Sequence, residues 1–95
     1  MQYTPAVLLA RAKEIREDGS IVEIVIWELP APLEPSTHRY KYRLYYGVPG
    51  CSRIRYDNER GKGDHRHFGE REVSYVFTTV EQLLEDFRRD VENWR

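Results

Sequence analysis

On both sides of Val48-Pro49-Gly50, mainly aromatic or aliphatic side chains alternate with mainly charged ones. This alternation constrains the fold more than any other feature of the chain. Pro at the second position and Gly at the third position of a turn are typical of type II. Because successive residues of a strand point to opposite faces, the alternation predicts a β-hairpin with one buried and one exposed face. The buried side carries Tyr40, Tyr42, Leu44 and Tyr46 before the turn and Ser52, Ile54 and Tyr56 after it.

The opposite side of this hairpin is basic. Like charges on adjacent strands repel each other unless an anion neutralises them, and the phosphates of a nucleic acid can do so. An aromatic residue on the same face can stack on a base, as in RNA-binding sheets. The alternative is a solvated face whose bases pair with acids of neighbouring strands, such as Glu14, Glu23 or Asp57. The predicted nucleic-acid-binding residues are Arg39, Lys41, Arg43, Arg53, Arg55, Arg66 and Tyr45.

Positive charge is concentrated in the middle of the chain, although the formal net charge is only -1. Residues 38–67 hold eight Lys or Arg against three Asp or Glu, a net charge of +5. Residues 1–37 hold three Lys or Arg against six Asp or Glu, a net charge of -3. A basic middle between acidic ends indicates one face that attracts anions on a molecule that is otherwise near neutral.

Turn and breaker residues divide the remainder of the chain. Asp18-Gly19 predicts a hairpin that joins residues 6–16 to a β-branched strand at 21–29. Residues 6–16 are also rich in helix-forming side chains, so a helix is the alternative there. Three prolines between residues 30 and 35 predict an irregular connection, and Val73–Phe77 is predicted as a short last strand.

The C-terminal segment predicts one amphipathic helix. Thr78 with Glu81, or Thr79 with Gln82, matches a capping box at its start. Apolar residues then recur at helical spacing on one stripe. The predicted fold is therefore a single α+β domain over residues 1–95, with a four- or five-stranded antiparallel meander of hairpins and this helix packed on one face. The stripe consists of Val80, Leu83, Leu84, Phe87, Val91 and Trp94.

Residues 56–67 concentrate chemically active side chains. They hold two histidines, three acids, three bases and two glycines, and no aliphatic residue. Such a composition argues against a core strand, and the glycines on both sides of Lys62 predict a mobile or tightly curved loop. Polar loops on a rigid scaffold often carry function, so this segment is the first place to look for a site.

His65 and His67 are the candidate acid and base of that site. In an extended segment, residues two apart point the same way, so both imidazoles can address one ligand. RNA cleavage by the 2′-hydroxyl needs groups that accept and donate protons near neutral pH, which histidine does. Arg60 and Lys62 are candidates to stabilise charge on the phosphoryl oxygens. Asp57 or Asp64 is expected to orient one imidazole.

The same residues allow two other interpretations. His65-Arg66-His67 with a nearby carboxylate can bind a divalent ion, although His-X-His alone is a weak motif. A protein that only binds nucleic acid or an acidic partner needs the Lys and Arg residues but not the histidines. We expect neither a metal nor another cofactor and leave open whether the chain is a catalyst, a binding module, or active only when a cognate partner covers its edge strand or helix face.

Three segments together resemble one known family. They are Asp18–Glu23 with Ile26-Trp27, then His38–Leu44, and then Arg55–His67 followed by Tyr75–Thr78. From about Ala6 to Val91 the chain is similar to the TumE family of bacterial and archaeal toxin–antitoxin modules. This resemblance implies a toxin-like protein whose partner is a helix-turn-helix antitoxin. It implies no particular catalytic residues.

Composition also narrows the cellular context. No apolar run approaches the roughly 20 residues that a membrane span needs, and the N-terminus lacks a basic start followed by an apolar core, which is typical of exported proteins. Cys51 is the only cysteine, so an internal disulfide is excluded. We therefore expect a cytoplasmic protein.

Overall fold

The computed structural model describes residues 5–94, which form one antiparallel sheet and one helix. The sheet has six strands in the order β1-β2-β3-β4-β5-β6, so every strand pairs with its neighbours in the sequence. The α+β class and the meander are confirmed, but the predicted count of four or five strands is wrong. The elements are β1 (Val7–Ile15), β2 (Ile21–Glu28), β3 (Tyr40–Val48), β4 (Cys51–Glu59), β5 (Gly63–Phe68), β6 (Arg71–Ser74) and α1 (Val80–Glu92).

The additional strand comes from residues 56–67, where a loop was predicted. The segment is a hairpin whose turn occupies only residues 60–62. Gly61 and Gly63 supply positive φ values of 86° and 77° at this turn, which L side chains rarely adopt. The strands form without aliphatic residues because their polar side chains find partners across the sheet. The prediction failed because it required apolar residues on one face of every strand.

The two hairpins predicted before this segment are confirmed. β1 pairs with β2, so residues 6–16 are not helical, and their connection runs over residues 16–20 with Gly19 at a φ of 85°. Pro49 and Gly50 connect β3 to β4, and Gly50 has the positive φ, 76°, that the type II interpretation requires. The last strand ends at Ser74, earlier than predicted, and residues 75–79 form an irregular connection to the helix.

The helix packs on one face of the sheet and lies over β4. Thr79 caps its first turn, because its side-chain oxygen accepts a hydrogen bond from the Gln82 amide at 3.0 Å. Leu83 and Phe87 are buried against the sheet. The other four residues of the predicted stripe are partly buried and pack on the same core, whose sheet side includes Ile26, Tyr42, Leu44, Tyr46, Ile54 and Tyr56.

A partly buried carboxylate fastens the proline-rich connection to this same face. Asp64 on β5 accepts hydrogen bonds from His38 Nε2 at 2.6 Å, from the Tyr42 hydroxyl at 2.7 Å and from the Ser36 hydroxyl. The ring of His38 stacks on Phe77, with 3.9 Å between centroids. This cluster ties residues 36–38 and the segment after β6 to the sheet. The opposite sheet face, which carries Arg55 and His67, is called the open face below.

Candidate functional site

Cross-strand register brings four chemically active residues together on the open face. Asp57 on β4 is directly opposite His65 on β5, and Arg55 is directly opposite His67. Residues that are paired in this way point to the same side of the sheet. The turn at 60–62 sets this register, since it makes Glu59 the partner of Gly63.

Asp57 and His65 form a buried ionisable pair, with only 6% and 4% of their surfaces exposed. The Asp57 Oδ1 atom lies 2.5 Å from His65 Nε2. On the other side of the ring, His65 Nδ1 lies 3.0 Å from the carbonyl oxygen of Gly63, which can only accept a hydrogen bond. Nδ1 therefore carries a proton. A second proton lies between Nε2 and Oδ1, because two bare acceptors would repel at that separation.

Arg55 links this pair to the second histidine. Its Nε lies 3.0 Å from Asp57 Oδ2, and its Nη2 donates to His67 Nε2 at 3.1 Å. A guanidinium has no acceptor, so Nε2 of His67 is unprotonated in this arrangement. Burial lowers the pKa of His67, and the positive charges of Arg55 and His65 lower it further. His67 is accordingly held as a neutral base.

The arrangement thus combines a proton donor and a proton acceptor. The two imidazole rings are nearly perpendicular, with 4.9 Å between their centroids. The Arg55 Nε atom is buried without an aligned hydrogen-bond partner, whereas the Asp57 Oδ1 atom faces His65 Nε2 and is not free to bind an incoming group. Ligand atoms of Asp57, His65 and His67 lie within 4.8 Å of one another, a spacing that also suits a divalent ion.

The predicted basic face is present in part. Lys41, Arg43 and Tyr45 share the open face with Arg55, and Lys41 and Arg43 are exposed. Arg53 leaves that face because the register shifts between Tyr46 and Gly47 of β3, which breaks the alternation on β4. Its guanidinium donates to the Tyr46 hydroxyl at 2.8 Å instead.

Arg66 lies on the helix face, where it joins the sheet to α1. Its Nη1 atom lies 3.0 Å from the Tyr56 hydroxyl and 3.2 Å from Asp90 Oδ2. Asp64 also faces the helix side, where it contacts His38, so of the two carboxylates considered only Asp57 is in a position to orient His65 or His67.

The other predicted site residues surround the four-residue cluster at greater distance. Arg60 and Lys62 are exposed in the β4–β5 turn, about 10 Å along the strands from the Asp57–His65 pair. Arg39 is exposed just before β3. None of these three is in an ion pair among residues 5–94. They can supply charge near a bound polyanion but do not contact the histidines.

Comparison with known proteins identifies the family. A sequence model of a family described as Toxin TumE matches residues 4–95, nearly the whole chain. The chain belongs to the TumE toxin family. It is therefore a toxin of a toxin–antitoxin system, and an antitoxin is the expected partner. Searches of curated proteins and of solved structures found no match.

One contact in the site of this TumE-family toxin was not predicted from the sequence. Arg55 was predicted to bind nucleic acid, with pairing to an acid such as Asp57 as the alternative; it does pair with Asp57, and its contact with His67 was not predicted. The register of a hairpin with its turn at Arg60–Lys62 predicts that contact, because it places Arg55 opposite His67.

Among residues 5–94 no helix is both long enough and apolar enough to cross a membrane.

Proposed function

We propose that this toxin is a metal-independent ribonuclease and that its open face binds single-stranded RNA. The observation that carries the proposal is the continuous chain of contacts from His67 through Arg55 and Asp57 to His65. It holds an unprotonated imidazole and a proton-bearing pair side by side on a face with exposed cations. General acid–base catalysis of RNA cleavage requires both states at once.

In the proposed reaction His67 Nε2 removes the proton of a ribose 2′-hydroxyl. The 2′-oxygen attacks the adjacent phosphorus, and the bond from phosphorus to the 5′-oxygen of the next nucleotide breaks. The leaving 5′-oxygen takes the proton that Asp57 and His65 share. The products are a 2′,3′-cyclic phosphate and a 5′-hydroxyl, so the reaction consumes no water and needs no cofactor.

Arg55 has two roles in this proposal. In the free protein its Nη2 donates a hydrogen bond to His67 Nε2, and its Nε lies next to the Asp57 carboxylate of the buried Asp57–His65 pair. A phosphate is a stronger acceptor for a guanidinium than a neutral imidazole, because the hydrogen bond is then charge-assisted at both ends. Substrate would draw Arg55 onto the phosphoryl oxygens, which frees the base and stabilises the charge that develops in the transition state.

The remaining cations extend the binding surface along the RNA backbone. Lys41 and Arg43 lie on the strand beside Arg55, and Arg60 and Lys62 lie beyond the histidines at the hairpin end. Each phosphate that such a cation neutralises releases counterions and makes affinity dependent on salt. We further propose that the antitoxin partner is a helix-turn-helix protein, as the family resemblance implies.

A cleavage assay on a labelled RNA tests the proposal. Wild type is compared with His67→Gln, which retains an acceptor for Arg55, and with a His65→Ala, His67→Ala double variant, each with and without EDTA. Circular dichroism checks that every variant is folded. We expect wild-type cleavage that persists in EDTA and falls at least about 100-fold in either variant, the usual contribution of a general acid or base.

Other results would redirect the proposal. Loss of wild-type cleavage in EDTA would contradict the metal-independent mechanism and favour the geometry in which Asp57, His65 and His67 bind an ion. Absence of cleavage, with equal low-salt RNA binding by wild type and the double variant, would favour a non-catalytic binding face. The low exposure of Asp57 and His65 supports that second candidate, because a buried pair can act as a structural element alone.

A further inference from the structure

A recess of about 300 Å³ opens on the open face next to the proposed catalytic residues. It lies between β2 and the turn that joins β3 to β4. Ile21 and Val25 form an apolar wall, and the ring of Tyr45 forms another side. Glu23 and Arg43 contribute opposite charges to the same recess. A recess that combines apolar and aromatic side chains with a few polar groups is the typical environment of a bound planar ligand.

The recess is aligned with the catalytic residues by sheet register. Glu23 is opposite Tyr45, Tyr45 is opposite Arg55, and Arg55 is opposite His67, so these four residues form one row across β2, β3, β4 and β5. Three interstrand spacings separate the ends of the row, a span of about 14 Å. A nucleotide with its base in the recess can therefore direct its 3′-phosphate toward Arg55 and His67.

Close packing over a glycine fixes the direction of the Tyr45 ring. A Cβ atom at position 47 would lie 2.5 Å from the Tyr45 hydroxyl oxygen and 2.9 Å from its Cζ atom. The ring therefore lies along the backbone of Gly47, where any larger residue would displace it. In this orientation the ring stays at the side of the recess, where a base can stack on it.

The two charged groups discriminate between bases. The carboxylate of Glu23 has no ion-pair or hydrogen-bond partner within residues 5–94, although Lys13 is directly opposite Glu23 on β1. Its carboxylate accepts only, and guanine offers N1–H and N2–H as adjacent donors. Arg43 can donate to the guanine O6 and N7 acceptors. Adenine would oppose its N1 acceptor to Glu23 and its N6 donor to Arg43, so only the contact of Arg43 with N7 would remain.

We propose that this recess binds guanine and that the toxin cleaves single-stranded RNA on the 3′ side of a guanosine. The cleavage part of this inference rests on the proposed ribonuclease function, whereas the binding part does not. A site built to pair with particular donors and acceptors rejects analogues that leave those groups unpaired.

Binding of mononucleotides tests the recess without any catalysis. Guanosine 3′-monophosphate and adenosine 3′-monophosphate are titrated into wild type, Glu23→Gln and a control, Glu14→Gln, which removes a carboxylate from the exposed part of β1. We expect wild type and the control to prefer the guanine nucleotide by about 10-fold, the usual discrimination of one good bidentate contact. Glu23→Gln should reduce the preference, because its amide can accept from only one of the two guanine donors. Equal affinity for both nucleotides in wild type would overturn the proposal, as would an unchanged preference in Glu23→Gln.

Cleavage of four short RNAs, each with one different nucleotide before the susceptible bond, separates the two levels of the inference. Cleavage that is selective for guanosine in wild type and less selective in Glu23→Gln supports both. Cleavage without base preference would overturn the guanine recess and leave the ribonuclease intact. Absence of cleavage with guanine-selective binding would support the recess and contradict the ribonuclease.

Discussion

Asp57→Ala should be the most destabilising single change in the proposed site. The substitution leaves His65 buried next to an empty position and removes the partner of Arg55 Nε. Breaking a buried ion pair by deleting one partner costs about 3–5 kcal/mol. The side chain of Arg55 is 33% exposed, so water can replace part of its contact, and we take the lower end of that range. We therefore expect a loss of about 3 kcal/mol in the free energy of unfolding.

Urea denaturation followed by tryptophan fluorescence measures this loss, and thermal denaturation gives an independent value. For a chain of this size, 3 kcal/mol corresponds to a decrease in Tm of about 12–24 °C. Glu59→Ala, an exposed change two residues away on the same strand, is the control and should cost less than about 0.5 kcal/mol.

A double-mutant cycle shows whether the cost arises from the pair. Once His65 is also replaced by Ala, no unpaired imidazole remains, so the double variant should be more stable than the sum of the single effects predicts, by at least about 1 kcal/mol. Additive effects, or a loss below about 1 kcal/mol for Asp57→Ala alone, would refute the coupled, buried network on which the proposed chemistry depends.

Three further predictions concern the base, the recess and the core. His67 should titrate below the ordinary histidine value of 6.5 in an NMR experiment, so its contribution to stability is complete above that pH and is lost as the pH falls through the lower folded value. Arg55→Gln should raise the pKa of His67, and an unchanged titration would contradict the assigned cause. Gly47→Ala should cost about 1–3 kcal/mol and weaken binding of guanosine 3′-monophosphate, because the new methyl group would lie 2.5 Å from the Tyr45 hydroxyl oxygen and 2.6 Å from the Cys51 carbonyl oxygen and must displace both; unaltered binding would show that the Tyr45 ring does not contact the base. Leu83→Ala should cost about 3 kcal/mol in urea denaturation, since Leu83 is fully buried under the helix; a loss below about 1 kcal/mol would mean that the helix packs only loosely on the sheet.

Elements whose faces differ in polarity were predictable from the sequence. The tyrosines at 40, 42 and 46 identified the core face of β3, and the stripe from Val80 to Trp94 identified the docking face of the helix. Pro49-Gly50 located the turn between β3 and β4. In each case one local pattern determines one face, and no information about distant residues is needed.

The hairpin at 51–68 was predicted poorly because its stability depends on distant partners. Asp64 is withdrawn from most of the solvent because Ser36, His38 and Tyr42 donate to it, and Arg66 lies on the helix face because Asp90 pairs with it there. A rule that looks for aliphatic residues cannot recognise such a strand.

The composition of the site was predictable from the sequence, but its geometry was not. Two histidines and a carboxylate within 56–67 were evident as candidates. Only the strand register shows that Asp57 pairs with His65 and that Arg55 reaches His67. The bulge that removes Arg53 from the open face also leaves no mark in the alternating pattern.

The chemistry of the RNA ends after cleavage tests the central proposal most directly. A short RNA with one susceptible bond is incubated with the toxin in EDTA, and the fragments are identified by mass spectrometry, alongside a substrate that carries a 2′-deoxynucleotide before that bond. The acid–base mechanism predicts a 2′,3′-cyclic phosphate and a 5′-hydroxyl from the first substrate and no cleavage of the second. A 3′-hydroxyl with a 5′-phosphate, or cleavage of the deoxy substrate, would contradict attack by the 2′-oxygen and with it the roles proposed for His65 and His67.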